Sequence, residues 1–196
     1  MELTHSYRGI IRGKTRILLA WIFAIFLVLS SRKYPPDWLG IFLCFNGATL
    51  RFWASGYLYK DSNLALGGPY AYLRNPLFLG TYLMAIGITV ATGNVLLFLI
   101  TTIIFGLIYY YIILDEEEKL KQIFGQTYEL YCRAVPRFFP RLWPPNKELF
   151  MQINPELERR KFSWHLAWKN KAYEAYLSFV VLCAAISIIG YFFSKI

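Results

Sequence analysis

The chain has 196 residues, 57% of them hydrophobic and 19% aromatic, and a formal net charge of +9. That apolar content exceeds what a soluble domain of this length buries, so lipid is the expected solvent for the excess. A basic balance also suits nucleic acid, but these charges lie between long apolar runs, so no nucleic-acid partner is expected and an anionic membrane surface fits better.

A spanning helix needs about 20 apolar residues, within a range of about 17 to 25. About five segments approach that length: 17–31, 38–59, 77–92, 95–114 and 175–193. The first is short and lies between Arg16 and Arg32, so it spans only if those side chains reach back to the interfaces. Positive charge before it resembles a signal peptide, yet the run ends in Ser30-Ser31-Arg32-Lys33 with no small-residue cleavage site, so a retained helix is expected. The second is full length but contains Arg51, and the third starts directly after Pro76 and is short. The fourth and fifth are unambiguous. Only Gly93-Asn94 joins the third to the fourth, which predicts a tight antiparallel hairpin.

Arg8, Arg12, Lys14 and Arg16 precede the first run, and residues 115–174 hold eleven basic side chains. The opposite side receives Arg32, Lys33, the bare Gly93-Asn94 turn and Lys195. The basic excess places the N-terminus and 115–174 in the cytoplasm, with Arg32-Lys33 the discordant pair. Residues 115–132 read as an amphipathic helix, with Leu120, Ile123, Phe124 and Tyr128 at helical spacing. Pro136 and Pro140 prevent a continuous helix through 135–140. Residues 162–168, with Trp164 and Trp168 one turn apart, predict an interfacial helix before the last span. No repeat or low-complexity segment divides the chain, so residues 1–196 read as one all-α polytopic membrane domain.

Four features carry possible chemistry, each with a plain alternative. The run from Gly67 to Pro76 holds two glycines that permit close backbone approach and Arg74, whose planar fork matches a carboxylate; it also reads as an ordinary loop before a proline-started helix. Asp115-Glu116-Glu117-Glu118 meets a membrane surface where adjacent acids call for a compensating cation; the same acids make i, i+4 pairs with Lys119 and Lys121. Arg51 lies about 12 Å deep at 1.5 Å per residue, facing either a partner in the bundle or, by snorkelling, the headgroups. Tyr128, Tyr131, Arg137 and Arg141 line a pocket or anchor at the interface. The three cysteines, Cys44, Cys132 and Cys183, have neither disulfide nor zinc spacing, and Cys44 and Cys183 in apolar runs read as small hydrophobes. His5 and His165 are the only histidines, so no metal site is expected and no Ser-His-Asp set arises. A glycine-rich dinucleotide fingerprint is also missing.

Residues 68–80, Gly-Pro-Tyr-Ala-Tyr-Leu-Arg-Asn-Pro-Leu-Phe-Leu-Gly, are followed by Glu116-Glu117, then Leu120, Phe124-Gly125, Tyr128, Tyr131, Val135-Pro136-Arg137-Phe138 and Pro140. This order resembles the isoprenylcysteine carboxyl methyltransferase and phospholipid methyltransferase superfamily over residues 45–142, leaving 143–196 outside it. The resemblance implies a cytoplasmic-face pocket for S-adenosylmethionine, with Gly68, Tyr70, Arg74, Asn75, Pro76, Glu116 and Glu117 as cofactor-binding positions. Asn75 departs from the histidine of many members and Phe78 from a common tyrosine. Asn75 forms hydrogen bonds but does not act as a base near neutral pH. Glu116 and Glu117 are then expected at the cofactor's ribose or ammonium group, and Arg74 and Asn75 at its carboxylate. Arg51 and Arg137 are the candidates for the acceptor, a membrane lipid or prenylated substrate. Two other readings stay open: an NADPH-dependent reductase similar to membrane sterol reductases, and a non-enzymatic membrane adaptor.

Overall fold

The computed structural model describes residues 22, 24–31, 33–59, 63–143, 153 and 161–195. The N-terminal arginines, most of the first apolar run, and much of the segment between 143 and 161 lie outside the described residues. Helices and loops account for all that is described, with no strand among the described residues. Residues 24–29 are helical. Then come α1 (Trp38–Ser55), a 3-10 turn (Gly68–Ala71), α2 (Pro76–Ala91), α3 (Val95–Ala134), α4 (Trp164–Lys169) and α5 (Tyr173–Phe193).

Local sequence chemistry sets these boundaries. Asp37 caps α1 by accepting from the Leu39 N–H, Asn94 caps α3 at Leu97, and Ser163 caps α4 at Leu166. Each satisfies a donor that the first helical turn leaves orphaned. Pro76 opens α2, where its missing N–H costs nothing. Gly93 makes the turn between α2 and α3 with φ of +68°.

The closest helix pair is α1 with α2. Gly40, Cys44, Gly47 and Ala48 form the buried stripe of α1, facing Gly80, Met84, Gly87, Ile88 and Ala91 of α2. A Cβ on Gly47 would lie 2.5 Å from the Gly80 carbonyl oxygen, and one on Gly87 would lie 2.5 Å from the Cys44 nitrogen. The backbones touch because side chains are absent, which is how helices associate where lipid removes the hydrophobic drive. The α2–α3 hairpin is antiparallel as expected but wider, because rings space it. Tyr82 and Phe105 have centroids 4.9 Å apart and Phe78 and Tyr109 5.2 Å. Helix α5 runs antiparallel to α1, with Phe45 against Phe179 (5.6 Å) and the Tyr176 hydroxyl donating to Thr49 (3.1 Å).

Two ends result. At one, the Asp37 N–H donates to the Ala91 carbonyl (3.0 Å) and the Ser31 hydroxyl to the Ile186 carbonyl (3.3 Å). At the other, the Asn170 amide donates to the Ser55 and Leu58 carbonyls (2.9 and 2.8 Å), closing α1 against the α4–α5 link. The loop before α2 and the far part of α3 gather at this second end.

Among the described residues two helices, α3 and α5, are long and apolar enough to cross a membrane, against the five expected of the whole chain. Helix α2 is apolar but has 16 residues, roughly 24 Å of helix against a hydrocarbon core of about 30 Å. Helix α1 has 18 residues and includes Asn46 and Arg51. Only 11% of the most apolar stretch of α5 is buried within the protein. Leu177, Val180, Val181, Ile188 and Phe192 face outward, an apolar surface suited to lipid. This is a membrane protein. Substituting Gly87→Ala should destabilise it by about 1–3 kcal/mol, since every close neighbour is backbone. Gly106→Ala, with nothing within 4 Å, should be neutral or stabilising by up to about 1 kcal/mol. Thermal unfolding of both variants in the same detergent checks the contrast.

Candidate active site at one end of the bundle

Helix α3 does not stop where its apolar stretch ends. It carries Asp115 to Glu118 out of the apolar region and runs to Gly125, whose φ of +52° and ψ of −127° break the helical path. No side chain crowds Gly125, so its backbone angles are what require glycine. The bend brings Lys121 to within 2.7 Å of Glu129. In a straight helix residues eight apart are about 12 Å apart along the axis. The sequence pattern of a single amphipathic helix over 115–132 is therefore corrected to two stretches with a break between them. A glycine inside a helical pattern was the available signal.

The break turns 126–141 back over the loop that precedes α2. Tyr128, Tyr131 and Val135 pack against Leu64 and Leu66. The buried Tyr131 hydroxyl donates to the Tyr70 carbonyl (2.8 Å). Beyond the helix, main-chain bonds join the segments: Arg74 N–H to the Pro136 carbonyl (2.9 Å) and Arg141 N–H to the Tyr72 carbonyl (3.0 Å). The Arg141 guanidinium also donates to the Ala134 carbonyl (2.6 Å). Asn75, at the cap of α2, makes no side-chain cap bond; its amide donates to the Arg137 carbonyl at 2.9 Å.

These contacts converge on Glu117. Arg137 donates Nε to both carboxylate oxygens (3.1 Å each) and Nη2 to one (2.9 Å). Arg74 Nη1 lies 3.2 Å from Glu117 Oε1. One carboxylate thus bridges two guanidiniums, and the cluster keeps a surplus positive charge. The Glu117 hydrogen bonds raise the Arg137 pKa above its ordinary value, so that guanidinium stays charged at any accessible pH. The side chains of Glu117 and Arg74 are 12% and 10% exposed. Arg74 also contacts the Cys132 thiol, a neighbour the sequence did not single out. Its Nε is buried with no hydrogen-bond partner, a costly state that a ligand oxygen would relieve.

Tyr70 is buried within electrostatic reach of both Glu116 and Arg51. Burial, reinforced by the charge of Glu116, pushes its phenol pKa up, so it stays neutral. Glu116 itself is exposed. Gly68 has φ of +57°, and a side chain there would strike the Tyr57 ring. Gly68 and Pro76 therefore shape the loop. Arg51 is half-buried and spans the α1–α2 contact, donating to the Thr81 hydroxyl and the Leu77 carbonyl. Gly80 leaves room for its stem: a Cβ there would lie 2.7 Å from Arg51 Cγ. Arg51 thus has neutral hydrogen-bond partners, while Arg137 is held by a carboxylate. Among the described residues no group of three or more His, Cys, Asp or Glu gathers as for a metal ion.

Replacing Gly125 by Ala should cost about 1–3 kcal/mol in local strain. It should raise hydrogen exchange selectively over 126–141, measured by mass spectrometry on the full chain.

Comparison with known proteins agrees with the resemblance read from the motifs. The chain is 29% identical over 149 residues to the nickel-cobalt-cadmium resistance protein NccN of Alcaligenes xylosoxydans xylosoxydans, covering 71% of this chain and 67% of that protein. It is 33% identical over 81 residues to the protein-S-isoprenylcysteine O-methyltransferase of Schizosaccharomyces pombe, covering 41% of this chain and 34% of that enzyme. No solved structure matches. The family model for phospholipid methyltransferases matches residues 18–127, more than half of the chain, and the chain belongs to that family.

Proposed function

We propose that the protein transfers a methyl group from S-adenosylmethionine to a lipid or prenylated acceptor at the cytoplasmic face of a membrane. In this reading the N-terminal apolar run and α1, α2, α3 and α5 make five passes. The observation that carries the reading is the Arg74–Glu117–Arg137 cluster, tied by Asn75 and main-chain bonds to the loop before α2.

The residues fit such a cofactor. The orphaned Nε–H of Arg74 is a donor suited to a carboxylate. Asn75 and Tyr70 support the same loop, and the exposed Glu116 beside Glu117 is the residue assigned here to an ammonium group or ribose hydroxyls. Glu117 holds Arg74 and Arg137 in place, and acts on the ligand through Arg74. When bound, S-adenosylmethionine supplies a methyl already activated on a sulfonium.

The protein's part is then alignment and exclusion of water. Arg51 is the better placed of the two acceptor candidates, because its hydrogen bonds go to a hydroxyl and a carbonyl, and the Glu174 carboxylate reaches it electrostatically without a hydrogen bond. A cation at that depth suits an oxyanion. A carboxylate acceptor also needs no general base, whereas an amine must first lose a proton. The substrate class favoured is therefore an anionic one, such as a prenylated carboxylate, whose apolar tail stays in lipid.

Calorimetric titration of the full chain in nanodiscs with S-adenosylhomocysteine tests the cofactor assignment. Arg74→Ala and Glu117→Gln should each weaken binding by about 10- to 100-fold, from the loss of charge-assisted hydrogen bonds worth about 1.5–3 kcal/mol. Arg51→Leu should leave that affinity unchanged and abolish transfer of labelled methyl to a farnesylcysteine analogue. Parent-like binding by both cofactor-site variants would sink the assignment, and binding of NADPH alone in a thermal-shift assay would favour a reductase.

A further inference from the structure

Arg74 is held from both sides of the Gly125 break. From the stretch before it, Glu117 Oε1 lies 3.2 Å from Arg74 Nη1. From the stretch after it, the Cys132 sulfur accepts from the same Nη1. Residues 74 and 132 are 58 positions apart, and the turn-back at Gly125 brings them together. Cys132 is itself half-buried and seated. It lies one helical turn after Tyr128, on the same face, and packs against the cluster of Leu64, Leu66, Tyr128, Tyr131 and Val135. Its sulfur is therefore an acceptor in a fixed place.

The chemistry of that acceptor matters. A thiol sulfur is a weak acceptor that carries no charge. A carboxylate in its place would hold the guanidinium more firmly, since charge-assisted bonds are stronger, but it would cancel the charge it holds. Arg74, Arg137 and Glu117 together carry two positive charges and one negative. A second acid would bring this cluster to neutrality. The thiol instead leaves the surplus positive charge for an anionic ligand. It also engages Nη1 and not Nε, which is buried and has no hydrogen-bond partner. The guanidinium is planar, so pinning Nη1 also limits where Nε can point.

We propose that Cys132 is a positioning residue for recognition of the cofactor's carboxylate: it orients Arg74 without neutralising it. The inference rests on the S-adenosylmethionine reading above and adds a residue to it. Cys132 acts through Arg74, and no bond forms or breaks at its sulfur.

The test is calorimetry on the full chain in nanodiscs with two probes: S-adenosylhomocysteine, and its decarboxylated analogue, which keeps the amine and lacks the carboxylate. Cys132→Ala should weaken S-adenosylhomocysteine about 3- to 10-fold, the worth of one neutral hydrogen bond. The analogue should stay within about twofold of its affinity for the parent chain. Cys132→Ser restores an uncharged acceptor and should bind both probes as the parent does. Cys132→Asp supplies a charged acceptor and should weaken S-adenosylhomocysteine at least as much as Cys132→Ala. In an Arg74→Ala background, Cys132→Ala should cost nothing further, because its partner is gone. Cys132→Val, closer in volume, replaces the alanine variant if that one fails to fold. Parent-like binding of S-adenosylhomocysteine by Cys132→Ala or Cys132→Asp overturns the proposal and leaves the cofactor assignment standing. An equal fall for both probes, or loss of the fold in both the alanine and valine variants, makes Cys132 structural and also overturns it. A parent chain that binds neither probe fails the cofactor reading itself, and the proposal falls with it.

Discussion

The carboxylate of Glu117 is the point on which the candidate site of this protein depends. It is nearly buried and accepts from Arg137 while pairing with Arg74. Those three residues come from the loop before α2, from the helix that continues past the apolar stretch, and from the chain that returns after Gly125. A buried carboxylate in this setting is tolerable only with its partners present. Removing either arginine leaves the carboxylate with one partner and fewer hydrogen bonds, and removing the acid sets two guanidiniums against each other. The cluster therefore defines the relative position of three segments.

The scaffold beneath it uses two kinds of helix contact. Glycines bring α1 and α2 into backbone contact, and this closeness lets Arg51 reach across to Leu77 and Thr81. Rings hold α2 and α3 farther apart, from Tyr82 and Phe105 to Phe78 and Tyr109 near the site. The first contact carries a cation into an apolar layer with only neutral hydrogen-bond partners. The second leads from the layer to Phe138, next to Arg137, whose ring meets Tyr82 at 6.1 Å. The two arginines read as acceptor candidates thus have different surroundings. Arg137 is held by the Glu117 carboxylate, while Arg51 hydrogen-bonds only neutral groups.

Much of the fold was legible from composition and punctuation. The boundaries of α2 at Pro76, of α3 after Gly93-Asn94, and of α5 near its predicted start follow apolar run length and caps, which are local properties. The motif around Arg74 and Asn75 and the pair Glu116-Glu117 were recognisable by their order along the chain. The number of spans was less well read: among the described residues only α3 and α5 are long and apolar enough to cross. Apolar count alone does not say whether a helix faces lipid through rings or a neighbour through glycines.

The amino-acid sequence by itself determined an all-helical membrane chain, its helix starts, and the residue types gathered near one family motif. Only the tertiary structure decided that Glu117 pairs with both Arg74 and Arg137, that Gly125 folds the chain back, and that Arg74 meets the Cys132 thiol. The reason is physical: caps and apolar runs act within a few residues, whereas ion pairs and thiol contacts depend on distances between segments far apart in sequence. Those distances are set by how closely helices approach, and here that is decided by which of them carry glycine at the contact.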